Sequence, residues 1–380
     1  MSKIGITGQN GFIGYHLYHF LKYGSDHELV EFERSTFEDP AALQEFVNSC
    51  DIIVHLAAMN RHPDPQIIYD TNVALVDQLC QALENAPSSK KVIFSSSAQE
   101  EQDNLYGKSK RDARERFKNL ADSSAHQCIS LTIPNVFGPF CKPNYNSFIA
   151  TFCHKLTHDE KPVVMKDNEV ELIYVQELVE DIINSIEDDT TAAFIHKKVA
   201  ATAKRYVTEV LQLLEYYTDT YFVAGKMPDL EKDFEKNLFN TFRTYIPSDH
   251  YPVSYTCHSD PRGTFVEIMR ADGSGQFSFS TTVPGITRGN HFHTRKAERF
   301  AVIKGKARIQ LRKIGTDEVI DYDLDGETPA FVDMPVWYTH NITNTGSEEL
   351  LTLFWINEPY NPENADTYFE EVAPATTLNH

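Results

Sequence analysis

The pattern of apolar and polar positions changes character once along the chain. In roughly the first 160 residues, short β-branched apolar runs alternate with amphipathic stretches. Runs at 3–7, 28–32, 51–57, 91–97 and 127–133 predict strands, and 12–23, 66–85 and 106–121 predict helices. Strands that are apolar on both faces and alternate with helices imply a Rossmann-type, doubly wound parallel sheet. Helical patterns continue at 176–187, 206–218 and 229–243, with a polar interval at 187–205. After Tyr245-Ile-Pro-Ser-Asp-His-Tyr-Pro252 the texture becomes alternating, at 263–271, 276–283, 298–313, 330–334 and 349–357, punctuated by Gly, Pro and Asp. That punctuation predicts an antiparallel sandwich or barrel. The expected domains are therefore 1–247 and 248–372, with 373–380 a disordered tail.

Composition narrows the function classes. The 380 residues carry 35 Lys and Arg against 55 Asp and Glu, a net charge of −20. Residues 250–380 hold 11 basic and 18 acidic side chains, so neither half offers a surface that tracks phosphates, and nucleic acid is excluded as a partner. Six scattered cysteines, none in a C-x-x-C, fit reduced thiols and a cytoplasmic protein. A strand and a glycine-rich turn by residue 4 leave no room for a signal peptide, and no apolar run is long enough to span a membrane.

Glycines at 8, 11 and 14 follow the first strand and open a helix. Without Cβ atoms they allow a tight turn, and backbone N–H groups at the helix N-terminus can approach a pyrophosphate. After the second strand the chain reads Glu31-Phe-Glu33-Arg34-Ser35. Arg34 and Ser35 suit a 2′-phosphate and favour NADPH, with Glu33 in a ribose-binding role as the alternative. Ser95-Ser96-Ser97 ends the fourth strand, and Tyr106 and Lys110 follow at helical spacing, with Asn72 on the preceding helix. An ammonium four residues from a phenol lowers its pKa, and a nearby serine hydroxyl polarises a carbonyl while the phenol serves as general acid.

These pieces, with His55-Leu-Ala-Ala58 and Pro134-Asn-Val-Phe-Gly-Pro139, resemble the extended short-chain dehydrogenase/reductase family and its nucleotide-sugar epimerases and reductases. The resemblance implies that Ser97, Tyr106 and Lys110 are catalytic. It places NADPH on Gly8, Gly11, Phe12, Ile13, Gly14, Arg34, Ser35, Leu56, Ala57, Asn72 and Lys110, and the sugar nucleotide on Asn135, Lys142 and Asn144. Thr132-Ile-Pro stands where many relatives carry an arginine.

In the second half, His291 and His293 are two apart on one strand face, Glu298 follows, and His340 comes from a later strand. Three imidazoles and a carboxylate form a ligand set for zinc or another divalent transition metal. The G-x5-H-x-H-x4-E-x6-G spacing between Gly285 and Gly305 resembles the first cupin motif, and 335–344 the second, with Trp337 replacing its inner glycine. The resemblance implies a cupin barrel with those four residues around the metal.

A reductase of this type followed by a cupin resembles the enzymes of capsular polysaccharide biosynthesis. That resemblance implies a bifunctional enzyme on the route to UDP-N-acetyl-L-fucosamine, acting as a homodimer through either domain. The cupin would epimerise C3 of a UDP-linked 4-keto-6-deoxy amino sugar, and the reductase would reduce C4. Tyr338, Lys296 and His258 are candidates for the epimerising base. The alternative is a reductase or 4,6-dehydratase with a purely structural cupin, for which Glu100 and Glu101 offer the acids.

Overall fold

The computed structural model describes residues 1–261 and 263–373; residue 262 and most of the expected tail, 374–380, lie outside the described residues. By its internal contacts the chain forms two compact units. One comprises 1–151 with 166–207, the other 152–165 with the described residues from 208 onward.

The first unit carries strands β1 (Lys3–Thr7), β2 (Glu28–Val30), β3 (Ile52–His55), β4 (Lys91–Ser97), β5 (Gln127–Ile133), β6 (Asn135–Phe137), β7 (Glu169–Tyr174), β8 (Phe194–Lys198) and β9 (Ala203–Tyr206). Its helices are α1 (Phe12–Gly24), α2 (Pro40–Ser49), α3 (Pro65–Glu84), α4 (Leu105–Ser123), the first residues of α5 (Phe148–Thr157), and α6 (Val175–Glu187). A six-stranded sheet runs β2-β1-β3-β4-β5-β8, with every pairing parallel. Strand order reverses between β1 and β3, the switch point outside which such sheets bind ligands. Both faces are covered by apolar packing, as expected for parallel strands. Phe46, Val47, Leu79 and Phe117 fill one side, and Leu17, Leu21, Leu178 and Ile182 the other. The side chains of Asp64 and Asn104 start α3 and α4 by accepting from Gln66 N (2.9 Å) and Gly107 N (2.7 Å). The polar interval expected at 187–205 contains β8 and β9. At the sheet edge Phe194-Ile-His-Lys-Lys198 is only half-covered, so its polar composition concealed a strand.

The second unit contains α7 (Val207–Tyr217) from its second residue on, α8 (Asp233–Arg243), and two five-stranded sheets. Its strands are β10 (Val253–Ser254), β11 (Cys257–Asp260), β12 (Gly263–Val266), β13 (Gln276–Thr282), β14 (Thr287–Phe292), β15 (Glu298–Lys304), β16 (Lys306–Lys313), β17 (Val319–Asp325), β18 (Ala330–Met334), β19 (Tyr338–Asn344), β20 (Leu350–Ile356) and β21 (Tyr368–Phe369). The sheets run β10-β18-β15-β20-β13 and β17-β16-β19-β14-β21, around a core of Val302, Ile309, Leu311, Val332, Met334 and Ile342. This is the expected cupin-like β architecture. The run expected at 298–313 is two strands, broken at Gly305, where φ is +84° and a Cβ would sit 3.1 Å from Leu350 Cα.

The textural boundary at 245–252 is not where packing divides the chain. The helices before it group with the β-rich unit: Asn240 Nδ2 donates to Arg295 O (2.7 Å), and the Tyr221 hydroxyl, just after α7, donates to Asp333 Oδ2 (2.7 Å). Among the described residues no helix is long and apolar enough to cross a membrane.

Candidate active site and metal centre

The glycine-rich turn sits at the carboxyl end of β1. Gly8 has φ +78°, and a Cβ there would lie 2.9 Å from Ala57 N; one on Gly14 would lie 2.2 Å from Gly8 O. The turn is thus built from backbone in contact with backbone, and the N-terminus of α1 has no side-chain cap at Gly11. Ala57 N donates to Thr7 Oγ1 (3.3 Å), and Thr7 Oγ1 lies 2.7 Å from His55 Nδ1. Burial, then the Lys110 charge, pushes His55 down to about 3, so it is a neutral spacer under the turn. Phe12, Ile13, Leu56 and Ala57 are all half-buried here, with Ile13 and Leu56 packed on the core.

Arg34 and Ser35 are exposed at the start of a single helical turn after β2, and Ser35 Oγ donates to Glu33 Oε2 (3.3 Å). The acid that meets the glycine-rich turn is Glu31, which accepts from Gln9 Nε2 (2.9 Å) and the Tyr18 hydroxyl (2.5 Å). Asn72 is buried, and its amide is used inside the protein. Its Oδ1 accepts from Met59 N (2.6 Å), and its Nδ2 donates to Met59 O and Ser109 Oγ (3.0 and 3.1 Å). It ties the segment after β3 to α4.

Ser97 ends β4, and Tyr106 and Lys110 lie in the first turns of α4. Burial pushes the Tyr106 phenol up to about 12, and a hydrogen bond with Ser97 works against that rise. Burial lowers Lys110 to about 8, opposed by the Glu100 carboxylate. Lys110 Nζ donates to Ser95 O (2.9 Å) and lies 5.9 Å from the Tyr106 ring centre. Two further residues position this cluster: Gly107, which had no signal in the spacing, and Glu100, which the sequence offered only as an acid for the alternative reading. A Cβ on Gly107 would lie 2.0 Å from Gln99 O, so only glycine lets α4 approach the turn after Ser97. Glu100, 7% exposed, bonds Ser96 Oγ with one oxygen and accepts from Arg114 Nε with the other (2.9 Å). The residues expected to face sugar lie on exposed backbone. Asn135 Nδ2 donates to Glu171 O (3.4 Å), and Lys142 Nζ lies 5.6 Å from the Tyr145 ring. Asn144 and Tyr145 offer their carbonyls to Arg61 (2.7 and 2.9 Å), a contact the sequence did not announce.

In the β-rich unit, His291, His293, Glu298 and His340 converge, with one ligand atom from each within 4.8 Å of all the others. Antiparallel register sets His291 opposite His340. A bulge at Gly289 (φ +107°) and Asn290 (φ +60°) redirects β14 just before the histidines. His293 Nε2 and His340 Nε2 lie 3.1 and 3.2 Å from Glu298 Oε2, yet all three atoms are buried without a hydrogen-bond partner. Three orphaned donor atoms aimed at one point fit a divalent cation. His293 Nδ1 donates to Asp366 O, and His340 Nδ1 faces Tyr338 O (3.3 Å), which leaves both Nε2 lone pairs inward. Burial, with His340 and His293 beside it, pushes His291 down to about 4, so its imidazole is neutral and able to ligate. Burial raises the Glu298 carboxyl, but the neighbouring His293 and His340 carry it well below the usual range. Trp337, in the glycine position of the second motif, has φ +64°. Its N–H donates to His293 O (2.8 Å), and its buried ring stacks on Phe292 at 5.6 Å. Of the three base candidates, Lys296 is buried with Nζ on Ala365 O (2.6 Å), His258 is exposed on β11, and burial raises the Tyr338 phenol.

Residues 4–193 match the NAD dependent epimerase/dehydratase family, and 258–368 match the polysaccharide biosynthesis C-terminal domain. The chain is 35% identical over 369 residues to a UDP-2-acetamido-2,6-beta-L-arabino-hexul-4-ose reductase of Pseudomonas aeruginosa, covering 96% of this chain and 98% of that one. It is similar to the crystal structure of the capsular polysaccharide assembling protein CapF from Staphylococcus aureus (34% identity, 97% of this chain and 100% of that chain, TM-score 0.62). It is also similar to CapF with the inhibitor 3-isopropenyl-tropolone (32% identity, 97% and 100%, TM-score 0.59). The chain belongs to the NAD dependent epimerase/dehydratase family, among the nucleotide-sugar 4-keto reductases and epimerases of polysaccharide biosynthesis.

Proposed function

We propose that the protein is a bifunctional cytoplasmic enzyme. Its cupin epimerises C3 of a UDP-2-acetamido-2,6-dideoxy-4-hexulose, and its other unit then reduces the C4 ketone on the route to UDP-N-acetyl-L-fucosamine. The observation that carries this reading is the presence of two separately built functional clusters, Ser97-Tyr106-Lys110 and His291-His293-Glu298-His340, in a chain whose relative is named for reducing a 4-keto sugar nucleotide.

NADPH, when bound, supplies the hydride. Tyr106 gives its proton to the C4 oxygen, Ser97 holds that oxygen by hydrogen bonding, and the Lys110 ammonium binds the nicotinamide ribose and favours the phenolate left behind. Gly8, Gly11 and Gly14 admit the pyrophosphate to the α1 N-terminus, and Arg34 with Ser35 takes the 2′-phosphate. In the cupin, His291, His293, Glu298 and His340 hold zinc, which when bound acts as a Lewis acid on the substrate oxygens. CapF binds a tropolone, whose adjacent oxygens are a chelating pair, and that supports the same reading here. A 4,6-dehydratase is disfavoured because Glu100 is committed to Ser96 and Arg114. The free edge of β13, with Phe277 and Phe279 exposed, supports association of two copies through the cupin, which sedimentation tests.

The deciding measurement is deuterium at C3 when the full chain turns over in D₂O. Without NADPH the parent should exchange the C3 hydrogen of the 4-keto substrate. His291→Ala should abolish that exchange while still reducing an already epimerised ketone. A product free of solvent deuterium at C3 refutes the two-step reading.

A further inference from the structure

The segment after β20 does more than end the barrel. Asp366 is 6% exposed and adopts φ +44°, a left-handed conformation that few non-glycine residues enter and that aspartate tolerates better than most. Its Oδ1 accepts from Thr294 N (3.1 Å) and Thr294 Oγ1 (2.6 Å), and its Oδ2 from Arg295 N (3.0 Å) and Lys296 N (3.1 Å). Those donors belong to the turn between β14, which bears His291, and β15, which opens with Glu298. The same residue's carbonyl accepts from His293 Nδ1. Neighbouring contacts act on the same turn: Lys296 Nζ donates to Ala365 O (2.6 Å), Arg295 donates to Asn364 O (3.0 Å), and Ala297 N donates to Asn357 Oδ1 (2.8 Å).

We propose that Asp366 is a positioning residue for the metal, a latch that fixes the ligand-bearing turn with its carboxylate and the His293 tautomer with its carbonyl. The inference rests on the metal reading above and deepens it. Three backbone N–H groups and a hydroxyl converge on one anion, which holds the turn in a single conformation. With Nδ1–H committed to the Asp366 carbonyl, the neutral imidazole carries its lone pair on Nε2, which points at Glu298. Asp366→Asn keeps the shape, but in either amide orientation an NH₂ group faces at least one of these backbone N–H donors. That donor then has no acceptor, and the backbone that carries the carbonyl to His293 shifts.

The test uses the full chain with zinc alone as probe, titrated against a competing chelator. Asp366→Asn should weaken zinc binding about 10- to 100-fold, the range for lost outer-sphere support, and should alter the visible absorption of the cobalt-substituted protein. Thr294→Val, which removes one contact, should lower affinity by a smaller factor and guards against a variant that fails to fold. Asp366→Asn with parental zinc affinity and an unchanged cobalt spectrum overturns the latch. A parent that does not bind zinc overturns the metal reading itself, and the latch with it.

Discussion

The two clusters are assembled by opposite means. Ser97, Tyr106 and Lys110 fall within one strand-turn-helix passage, where helical spacing alone puts the phenol and the ammonium on the same face. His291, Glu298 and His340 come from three strands: register within one sheet pairs His291 with His340, and Glu298 reaches them from the other sheet, across the turn between β14 and β15. The local cluster leans on hydrogen bonds to backbone and on a glycine that permits close approach. The non-local one leans on a bulge and on a distant aspartate. A local device fails when one contact is removed, whereas a device drawn from two sheets fails when the turn that joins them loosens.

The largest effect expected from breaking this contrast is on the phenol. Tyr106→Phe should lower reduction by about two or more orders of magnitude, the scale of a lost general acid, with NADPH binding and C3 exchange retained. Stopped-flow hydride transfer and deuterium exchange on the same preparation check it; near-parental reduction rejects Tyr106 as the donor. His340→Ala should do the converse, losing metal and exchange while reduction of an epimerised ketone persists. Elemental analysis beside both assays tests that, and full metal occupancy in the variant rejects the ligand set.

Next comes the glycine that sequence spacing passed over. Gly107→Ala drives a methyl into Gln99 O at 2.0 Å and must push α4 away from the turn after Ser97. A loss of about 1 to 3 kcal/mol in stability, as for other overpacked sites, should accompany a fall in reduction. Denaturant unfolding and turnover measure it, and an unperturbed variant shows that α4 has room.

What the sequence revealed and what it hid follow the same division. Four strands of the parallel sheet, β1, β3, β4 and β5, announced themselves by apolar runs because both of their faces are covered; of the two edge strands, β2 kept an apolar Leu-Val pair and was legible, whereas β8, with His and two Lys, was not. The four side chains of the proposed metal site stood out by type and spacing, but Asp366 did not, since no local pattern links it to a turn some seventy residues earlier. Asn72 was legible as a site residue, yet its amide is spent on Met59 and Ser109, so its role is to hold the wall. The departure at Trp337 marked a real oddity, because the backbone there keeps a glycine-like φ and a buried indole fills the space.

A smaller effect separates the cofactors. Arg34 is exposed after β2, so Arg34→Ala should narrow a preference for NADPH over NADH by roughly tenfold, one charge-assisted contact at a wet site. Equal efficiency of the two cofactors in the parent rejects the assignment.

The smallest and most informative effect is electrostatic. Burial holds Lys110 at about 8, and the Glu100 carboxylate works against that lowering. The ammonium is therefore present below about pH 8 and lost above it, so NADPH affinity and kcat/KM in the parent should decline as pH rises through that value. Glu100→Gln removes the negative charge and also frees Arg114, whose Nε pairs with Glu100. Both changes disfavour the Lys110 cation, so the decline should move to lower pH and cost a few-fold in activity near neutrality. His55 stays neutral throughout, held at about 3, and Tyr106 stays protonated until about 12, so neither masks the shift. C3 exchange, which the proposal assigns to the other cluster, should keep its parental pH profile in this variant. A decline that moves toward alkaline pH, or that shifts exchange and reduction together, would show that Glu100 acts on the fold at large and not on the charge of Lys110.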